Sequence, residues 1–411
     1  MNKFSLPKNK INILLVEGIH QNAVAFLKKS GYGNIIEIDE ALDEVELMKL
    51  IADVHILGIR SRTQLTQPIL RSAKKLMAVG CFCIGTNQVD ALEAKMLGIP
   101  VFNAPYSNTR SVAELVLAEI IFLFRRIAER TWLAHTGVWN KSASNSYEIR
   151  GKVLGIIGYG HIGAQLSVLA EGLGMRVVFY DIQEKLALGN AQRISDLSEL
   201  LSTADVVSLH VPATELTNGL MDKKKLTMMK RGAYLINASR GNVVDIRCLA
   251  ELLRQGVLGG AAIDVFPQEP SSESEVFNSP LRGIKNVILT PHIGGSTIEA
   301  QENIGFEVAD KLVRYSDNGS TLGATNFVEV VLPSQANSLR FMHIHRDIPG
   351  VLQNINSVFS TRHINISAQY LRTDGEIGYV VTDVSGSLEI GMGIRKDLAS
   401  INGTVRTRFL Y

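Results

Sequence analysis

The chain has 411 residues, of which 46% are hydrophobic and 20% charged. That is too long for one ordinary core and too apolar for a disordered segment, so two or three globular domains are expected. A formal net charge of +2 with no extended Lys/Arg block argues against a nucleic-acid partner, and Lys223-Lys224-Lys225 reads as a solvated helix start.

The first ten residues are polar and Lys-bearing without an apolar centre, unlike a secretory signal. Residues 11–16 read as a strand, and a helix carrying Ala23, Ala25 and Phe26 follows up to Gly31. Short apolar strands at 54–59, 76–79 and 101–103 alternate with helical or turn sequence, which makes an open parallel α/β unit of about a hundred residues. Cys81 and Cys83 alternate along such a strand, so their thiols share one side as small buried groups. With Cys248 they form a sparse, odd set that suits no disulfide framework, no metal cage and a reducing, cytoplasmic compartment. A long helix is expected over 111–130, with Val112, Leu115, Ala118 and Phe122 on its buried stripe. Its apolar stretch 115–124 is interrupted by Glu119 and closed by Arg125-Arg126, so it reads as buried in protein and not as a membrane span.

After a segment carrying Trp139 and Lys141 comes the apolar run 153–157, then Gly158-Tyr159-Gly160-His161-Ile162-Gly163, then helical periodicity through Leu166, Leu169 and Leu173 until Gly172 and Gly174. A second apolar run, 177–180, ends in Asp181. Strand, glycine turn, helix and a second strand closed by an acid are what holding a dinucleotide requires. Gly158 permits the tight turn, Gly160 keeps a Cβ away from the pyrophosphate, and Gly163 lets the helix pack closely on the sheet. The helix N-terminus, at His161 and Ile162, faces the phosphates. Asp181 accepts from the adenosine ribose and repels a 2′-phosphate, which favours NAD over NADP.

Further buried strands are expected at 205–210, 233–237, 261–265 and 286–290, each ending in a loop. Ligands bind beyond such strand ends, and there the ionisable residues gather. Arg240 follows Asn237-Ala238-Ser239, Glu269 follows Asp264-Val265-Phe266, and His292 follows Thr290-Pro291 and precedes Gly294-Gly295. Oxidising a secondary alcohol with NAD needs a proton acceptor, which a histidine titrating near neutrality supplies. A neighbouring glutamate would orient that ring, and an arginine fork would hold a carboxylate and polarise the adjacent carbonyl. Taken singly, each of the three could be a surface ion-pair partner, a solvated acid or a helix cap. More positive charge at Arg60-Ser61-Arg62, Arg110 and Lys141 would suit a substrate carrying more than one negative group, although Arg60 and Arg62 could also face solvent on alternate sides.

A helix over 297–316, with Ala300, Ile304, Val308 and Leu312 in line, could cross back onto the first unit, and residues 318–335 read as a linker. A strand at 341–345, a helix opened by Pro349-Gly350, a hairpin around Asp374-Gly375, a last helix and a strand at 404–410 complete a ferredoxin-like β-α-β-β-α-β pattern in about 75 residues. Such a module is too small for an enzyme's cleft but large enough to sense a small molecule.

The stretches Gly58-Ile59-Arg60-Ser61-Arg62-Thr63, Cys81 through Asp90, Asn108-Thr109-Arg110-Ser111-Val112-Ala113-Glu114, Gly158 through Gly163, Ile236 through Gly241 and Leu289 through Thr297 resemble the D-isomer-specific 2-hydroxyacid dehydrogenases, with similarity from near Lys10 to Tyr411. The resemblance implies two Rossmann-like open parallel-sheet domains, the first discontinuous, and a C-terminal ACT domain. The expected boundaries are 1–108 with 297–330 for substrate, 109–296 for NAD and 337–411 for regulation. It implies oxidation of 3-phospho-D-glycerate to 3-phosphooxypyruvate, the first step of L-serine synthesis, with 2-oxoglutarate reduction to 2-hydroxyglutarate as a side activity, in a cytoplasmic homotetramer. His292 with Glu269 becomes the acid–base pair and Arg240 the carboxylate fork. Arg60, Ser61, Arg62, Asn108, Lys141 and Gln301 fall in or near the anionic substrate cleft. Gly158, Gly160, His161, Ile162, Gly163, Asp181, Ala238, Ser239, Arg240, Asp264, His292, Gly294 and Gly295 fall on the cofactor. L-Serine as feedback inhibitor maps to His345, Asp347 and Asn365, and Asp347 stands where the closest pattern has Asn. An aspartate accepts from the serine ammonium but cannot donate to its carboxylate. Two other readings stay open: a reductase of glyoxylate, hydroxypyruvate or another small 2-oxo acid, and an NAD-sensing protein without turnover.

Overall fold

Short runs of β-branched and aliphatic residues separated by helices assemble into three sheets. The computed structural model describes residues 6–270, 275–333, 338–385 and 388–410. Residues 1–5 of the polar N-terminus, 334–335 of the expected linker, and 337, 386–387 and 411 of the expected terminal domain lie outside them.

The first sheet contains β1 (Asn12–Val16), β2 (Asn34–Ile38), β3 (Ile56–Ile59), β4 (Ala78–Cys81) and β5 (Val101–Phe102), in the order β2-β1-β3-β4-β5 and parallel throughout. Apolar clusters cover both of its faces, which is why its inner strands read as unbroken hydrophobic runs. The helix Ile298–Asn318 buries Ile304, Val308 and Leu312 in one of those clusters. Val308 and Leu312 come so close to Gly80 that a Cβ there would lie 2.8 Å from each.

The second sheet contains β6 (Val153–Ile157), β7 (Arg176–Tyr180), β8 (Gln192–Arg193), β9 (Val206–Leu209), β10 (Tyr234–Asn237), β11 (Gly260–Ile263) and β12 (Val287–Leu289). Its order is β12-β11-β10-β9-β6-β7-β8, all parallel, and the order reverses at β6/β9, where such sheets bind ligands.

The third sheet, β13 (Leu339–Arg346), β14 (Ile366–Thr373), β15 (Ile377–Val384) and β16 (Thr404–Leu410), is antiparallel in the order β14-β15-β13-β16. Helices Val351–Ser360 and Leu388–Ser400 complete the ferredoxin-like pattern. The fold class is thus the expected one: two parallel α/β sheets and a small antiparallel module. By contacts, the chain forms two compact units, Met1–Ser107 with Gln301–Tyr411, and Asn108–Ala300.

Three local expectations need correction, and one strand is added to those expected. The helix expected over 111–130 is two helices, Thr109–Arg125 and Ile127–His135, because Arg126 takes a left-handed conformation (φ +53°) that ends the first helix. The buried stripe is also rotated: Val112, Ala113, Val116, Glu119, Ile120 and Leu123 face the core, while Ala118 and Phe122 are exposed. The buried face packs into one apolar cluster with Leu166 and Ala170 of the helix His161–Gly172. The edge strand β2 carries little sequence signal, because its residues alternate weakly and its side chains are half-exposed or exposed. The expected linker is packed over its described length: Phe327, Val328, Val330 and Leu332 are buried against the third sheet. Among the described residues, no helix is long and apolar enough to cross a membrane.

Candidate active site

At the end of β6 the chain turns at Gly158 with φ +93°, where a Cβ would lie 2.4 Å from the His210 carbonyl oxygen. Gly158 N donates to Tyr180 O (2.9 Å) and Tyr159 N donates to Asp181 Oδ2 (2.8 Å), so the turn is tied to the acid after β7. A Cβ on Gly163 would lie 2.4 Å from Gly158 O, whereas one on Gly160 would meet nothing within 4 Å. The first result shows why the helix can sit against the turn, and the second that open space lies beside its N-terminus, as a pyrophosphate cradle needs. Asp181 Oδ1 accepts from Gln183 N (2.8 Å), and the acid sits half-buried at the strand end. These residues fit a bound NAD.

The parallel register of β11 and β12, Ala261↔Val287 to Ile263↔Leu289, sets the loops after these strands side by side. Glu269 Oε2 and His292 Nδ1 consequently lie 2.8 Å apart although 23 residues separate them in sequence. Glu269 Oε1 accepts from Phe266 N (3.0 Å), which fixes the carboxylate. With Nδ1 engaged, the imidazole presents Nε2 to a substrate. The hydrogen bond to Glu269 holds His292 above its ordinary pKa against burial; the charges of Glu269 and Asp264 add to this and Arg240 opposes it. Burial alone would raise the Glu269 carboxyl, but hydrogen bonds from His292 and Phe266 N, with the charges of His292 and Arg240, hold it below the usual range.

Asp264 shapes the histidine loop. Its buried carboxylate accepts from Thr290 Oγ1 (2.7 Å), Ile293 N (2.8 Å) and Gly294 N (2.9 Å), and its carbonyl accepts from His292 N (2.9 Å). After β10, the buried Asn237 side chain donates to Arg240 O (3.0 Å) and accepts from Ser239 N and Oγ (3.1 and 2.7 Å), which builds the turn through Ala238 and Ser239 that delivers Arg240. Arg240 Nη1 donates to Ser239 O (2.7 Å). A Cβ on Gly295 would lie 2.8 Å from Asn108 Nδ2, so Asn108 adjoins the histidine loop, and its buried Oδ1 has no hydrogen-bond partner among the described residues. Lys141 is exposed in the segment after the helix Ile127–His135.

Arg60, Ser61, Arg62 and Gln301 belong to the other compact unit. The first three follow β3 on a loop with Ser61 and Arg62 exposed, and Gln301 lies half-buried early in the helix Ile298–Asn318. In the third sheet His345 is buried at 3% exposure, whereas Asp347 and Asn365 are exposed. Burial lowers the His345 pKa, and His343, 3.3 Å away between Nδ1 atoms, is pushed down to about 4.

Three groups near these elements are not among the expected site residues. His210, past β9, has Nε2 2.9 Å from Ser208 Oγ, a buried Nδ1 without a partner among the described residues, and a pKa pushed down to about 4 by burial. Glu119 is pushed up to about 8 by burial and then by the Asp264 charge. Glu17, at the end of β1, is a buried acid facing the Arg60–Thr63 backbone. The available signal was position at a strand end for Glu17 and His210, and a lone charge in an apolar helix for Glu119. Among the described residues, no group of three or more His, Cys, Asp or Glu is placed to hold a metal ion.

The family model described as D-isomer specific 2-hydroxyacid dehydrogenase, NAD binding domain, matches residues 117–294, and that of the AHAS small subunit-like ACT domain matches residues 341–406. D-3-phosphoglycerate dehydrogenase of Haemophilus influenzae is 58% identical over 410 residues, covering 100% of both chains. The protein of that name from Escherichia coli K12 is 56% identical over 411 residues, again covering 100% of both. Among solved structures, D-lactate dehydrogenase from Aquifex aeolicus complexed with NAD and lactic acid superposes with a TM-score of 0.67 at 26% identity, covering 79% of this chain and 100% of that one.

Proposed function

Since this chain belongs to the D-3-phosphoglycerate dehydrogenase family, within the D-isomer-specific 2-hydroxyacid dehydrogenases and with a C-terminal ACT domain, we propose that it oxidises 3-phospho-D-glycerate to 3-phosphooxypyruvate at the start of L-serine synthesis. The observation that carries this reading is the 2.8 Å His292–Glu269 pair at the strand ends of the NAD-binding sheet. NAD, the cofactor, supplies the hydride acceptor for the substrate carbinol carbon. His292 keeps the proton on Nδ1, donating it in a hydrogen bond to Glu269, and takes the hydroxyl proton at Nε2; in the reverse direction Nε2 returns it. Glu269 orients the ring and stabilises the imidazolium that forms. Arg240 holds the substrate carboxylate and polarises the developing carbonyl. Asp264 and Asn237 hold the loops that carry His292 and Arg240 in place.

We assign the phosphate to Arg60, Ser61 and Arg62, with Asn108, Lys141 and Gln301 in support, because several cations suit a substrate with more charge than one carboxylate. The functional domains are then 1–108 with 297–330 for substrate, 109–296 for NAD and 337–411 for regulation. Gly158, Gly160, His161, Ile162, Gly163, Asp181, Ala238, Ser239, Arg240, Asp264, His292, Gly294 and Gly295 serve the cofactor. L-Serine binds at His345, Asp347 and Asn365 and inhibits a cytoplasmic homotetramer; 2-oxoglutarate, with a carboxylate in place of the phosphate, is a second substrate for reduction.

NADH formation from 3-phosphoglycerate and NAD, with the product removed by coupling, tests the reading. Turnover suppressed by L-serine is the expected result. Absence of turnover with 3-phosphoglycerate, alongside rapid reduction of glyoxylate or hydroxypyruvate, would overturn it. Serine-insensitive turnover would remove the effector assignment alone.

A further inference from the structure

We propose that Glu17 is a positioning residue for substrate recognition: it holds the Arg60–Thr63 loop in the conformation that presents two guanidinium groups to the anionic tail of the substrate. This rests on the assignment of that tail to Arg60, Ser61 and Arg62. Glu17 follows β1 directly, and β3, which carries the loop, is the strand paired to β1. The two strand ends are therefore adjacent, and the Glu17 side chain, 3% exposed, reaches across. Its Oε1 accepts from Arg60 N (3.1 Å) and Thr63 N (2.9 Å), and Oε2 accepts from Arg62 N (3.0 Å) with Arg62 Nε 3.9 Å away. Arg60 Nη1 also donates to the Glu17 carbonyl oxygen (3.4 Å). From the other side, the Gln88 amide donates to Arg60 O.

A run of backbone N–H groups converging on one point is itself an anion-binding concavity. In this loop a carboxylate of the protein takes those donors, so the recognition of a bound anion is left to the side chains. Glu17 reaches this position in a left-handed conformation (φ +67°), followed by Gly18 at φ +60°. That backbone is unfavourable for a non-glycine residue, and such strain persists where surrounding structure holds it at functional positions. A plain strand end would need neither the strain nor a buried acid. Charge also enters: one carboxylate beside Arg60 and Arg62 moderates their field without neutralising both.

Glu17→Gln replaces one acceptor with an NH2 group, which would face a backbone N–H donor, so the loop must loosen. The full-length protein is assayed for NADH-dependent reduction of 3-phosphooxypyruvate and of hydroxypyruvate, which lacks the phosphate, with NADH affinity measured by fluorescence. We expect KM for the phosphorylated substrate to rise about tenfold more than KM for hydroxypyruvate, the scale of one charge-assisted hydrogen bond, with kcat changing less than KM. Equal losses on both substrates, or no change in a folded variant, would overturn the proposal. Gln88→Ala frees the same loop from the carbonyl side and must show the same bias; its absence overturns the proposal even if Glu17→Gln does not fold. Arg60→Ala separates the two layers of argument. An inert Arg60→Ala removes the phosphate assignment and this proposal with it, whereas an active Arg60→Ala effect beside an inert Glu17→Gln removes the role of Glu17 alone.

Discussion

His292 is held in a left-handed backbone conformation, φ +55°, by the Asp264 carbonyl and by a carboxylate that gathers the next two backbone N–H groups. Such a conformation is uncommon outside glycine and is retained where a side chain must point in one direction. Glu269 sets that direction and the protonation of the ring together. Glu269→Gln replaces the carboxylate that raises the His292 pKa with a neutral amide, leaving burial and Arg240 to lower it against the Asp264 charge. Oxidation needs neutral Nε2, so the acidic limb of its kcat/KM profile should move to lower pH. Reduction needs imidazolium, so its rate should begin to fall at lower pH than in the parent. Alongside the shift, kcat should fall by about 100-fold. pH–rate profiles in both directions check this, and limbs that stay in place would contradict the role given to Glu269.

At the scale of elements, the strand–turn–helix unit from β6 through Gly172 separates two demands that a glycine motif combines. Gly163 is required by packing, since its Cβ would lie 2.4 Å from a backbone oxygen, while a Cβ on Gly160 would meet open space. Gly163→Ala should therefore destabilise the protein by about 1–3 kcal/mol and weaken NADH binding as the helix shifts. Gly160→Ala should leave the thermal midpoint near its parent value and weaken NADH binding all the same. Fluorescence titration and thermal melts distinguish the two; an equal loss of stability in both variants would refute the division. The motif was legible in the sequence because all its parts are local. The break at Arg126 was not, because the apolar pattern runs through it and the left-handed residue is an arginine.

At the scale of the whole molecule, the third sheet is joined to the segment after the helix Ile298–Asn318 by buried polar contacts. Arg340 forms a bidentate pair with Asp383 (2.7 Å twice) and donates to Asn318 O and Pro333 O (3.1 Å each), and the Tyr379 hydroxyl donates to Gly319 O (2.7 Å). Arg340 is 1% exposed, so removing its partner leaves an uncompensated buried charge. Asp383→Ala should cost about 3–5 kcal/mol, measured as a lowered denaturation midpoint. A midpoint unchanged from the parent would mean that solvent reaches Arg340. Mixed composition and a Pro suit a linker here, because nothing local in such a stretch says which surface Phe327, Val328 and Val330 will cover.

The sequence by itself determined the strand and helix periodicities, the glycine turn with its acid at Asp181, the order of Arg240, Glu269 and His292 past successive strands, and the resemblance that led to the family. Each is a pattern within a few residues or a repeat along the chain, and backbone geometry converts such patterns directly into local structure. Only the tertiary structure decided that Nδ1 of His292 meets Glu269, that Asp264 organises the histidine loop, and that Glu17 holds the arginine loop. Those pairings join residues 23, 30 and 46 positions apart. They arise because parallel register places distant strand ends side by side, and no local periodicity encodes which ends become neighbours.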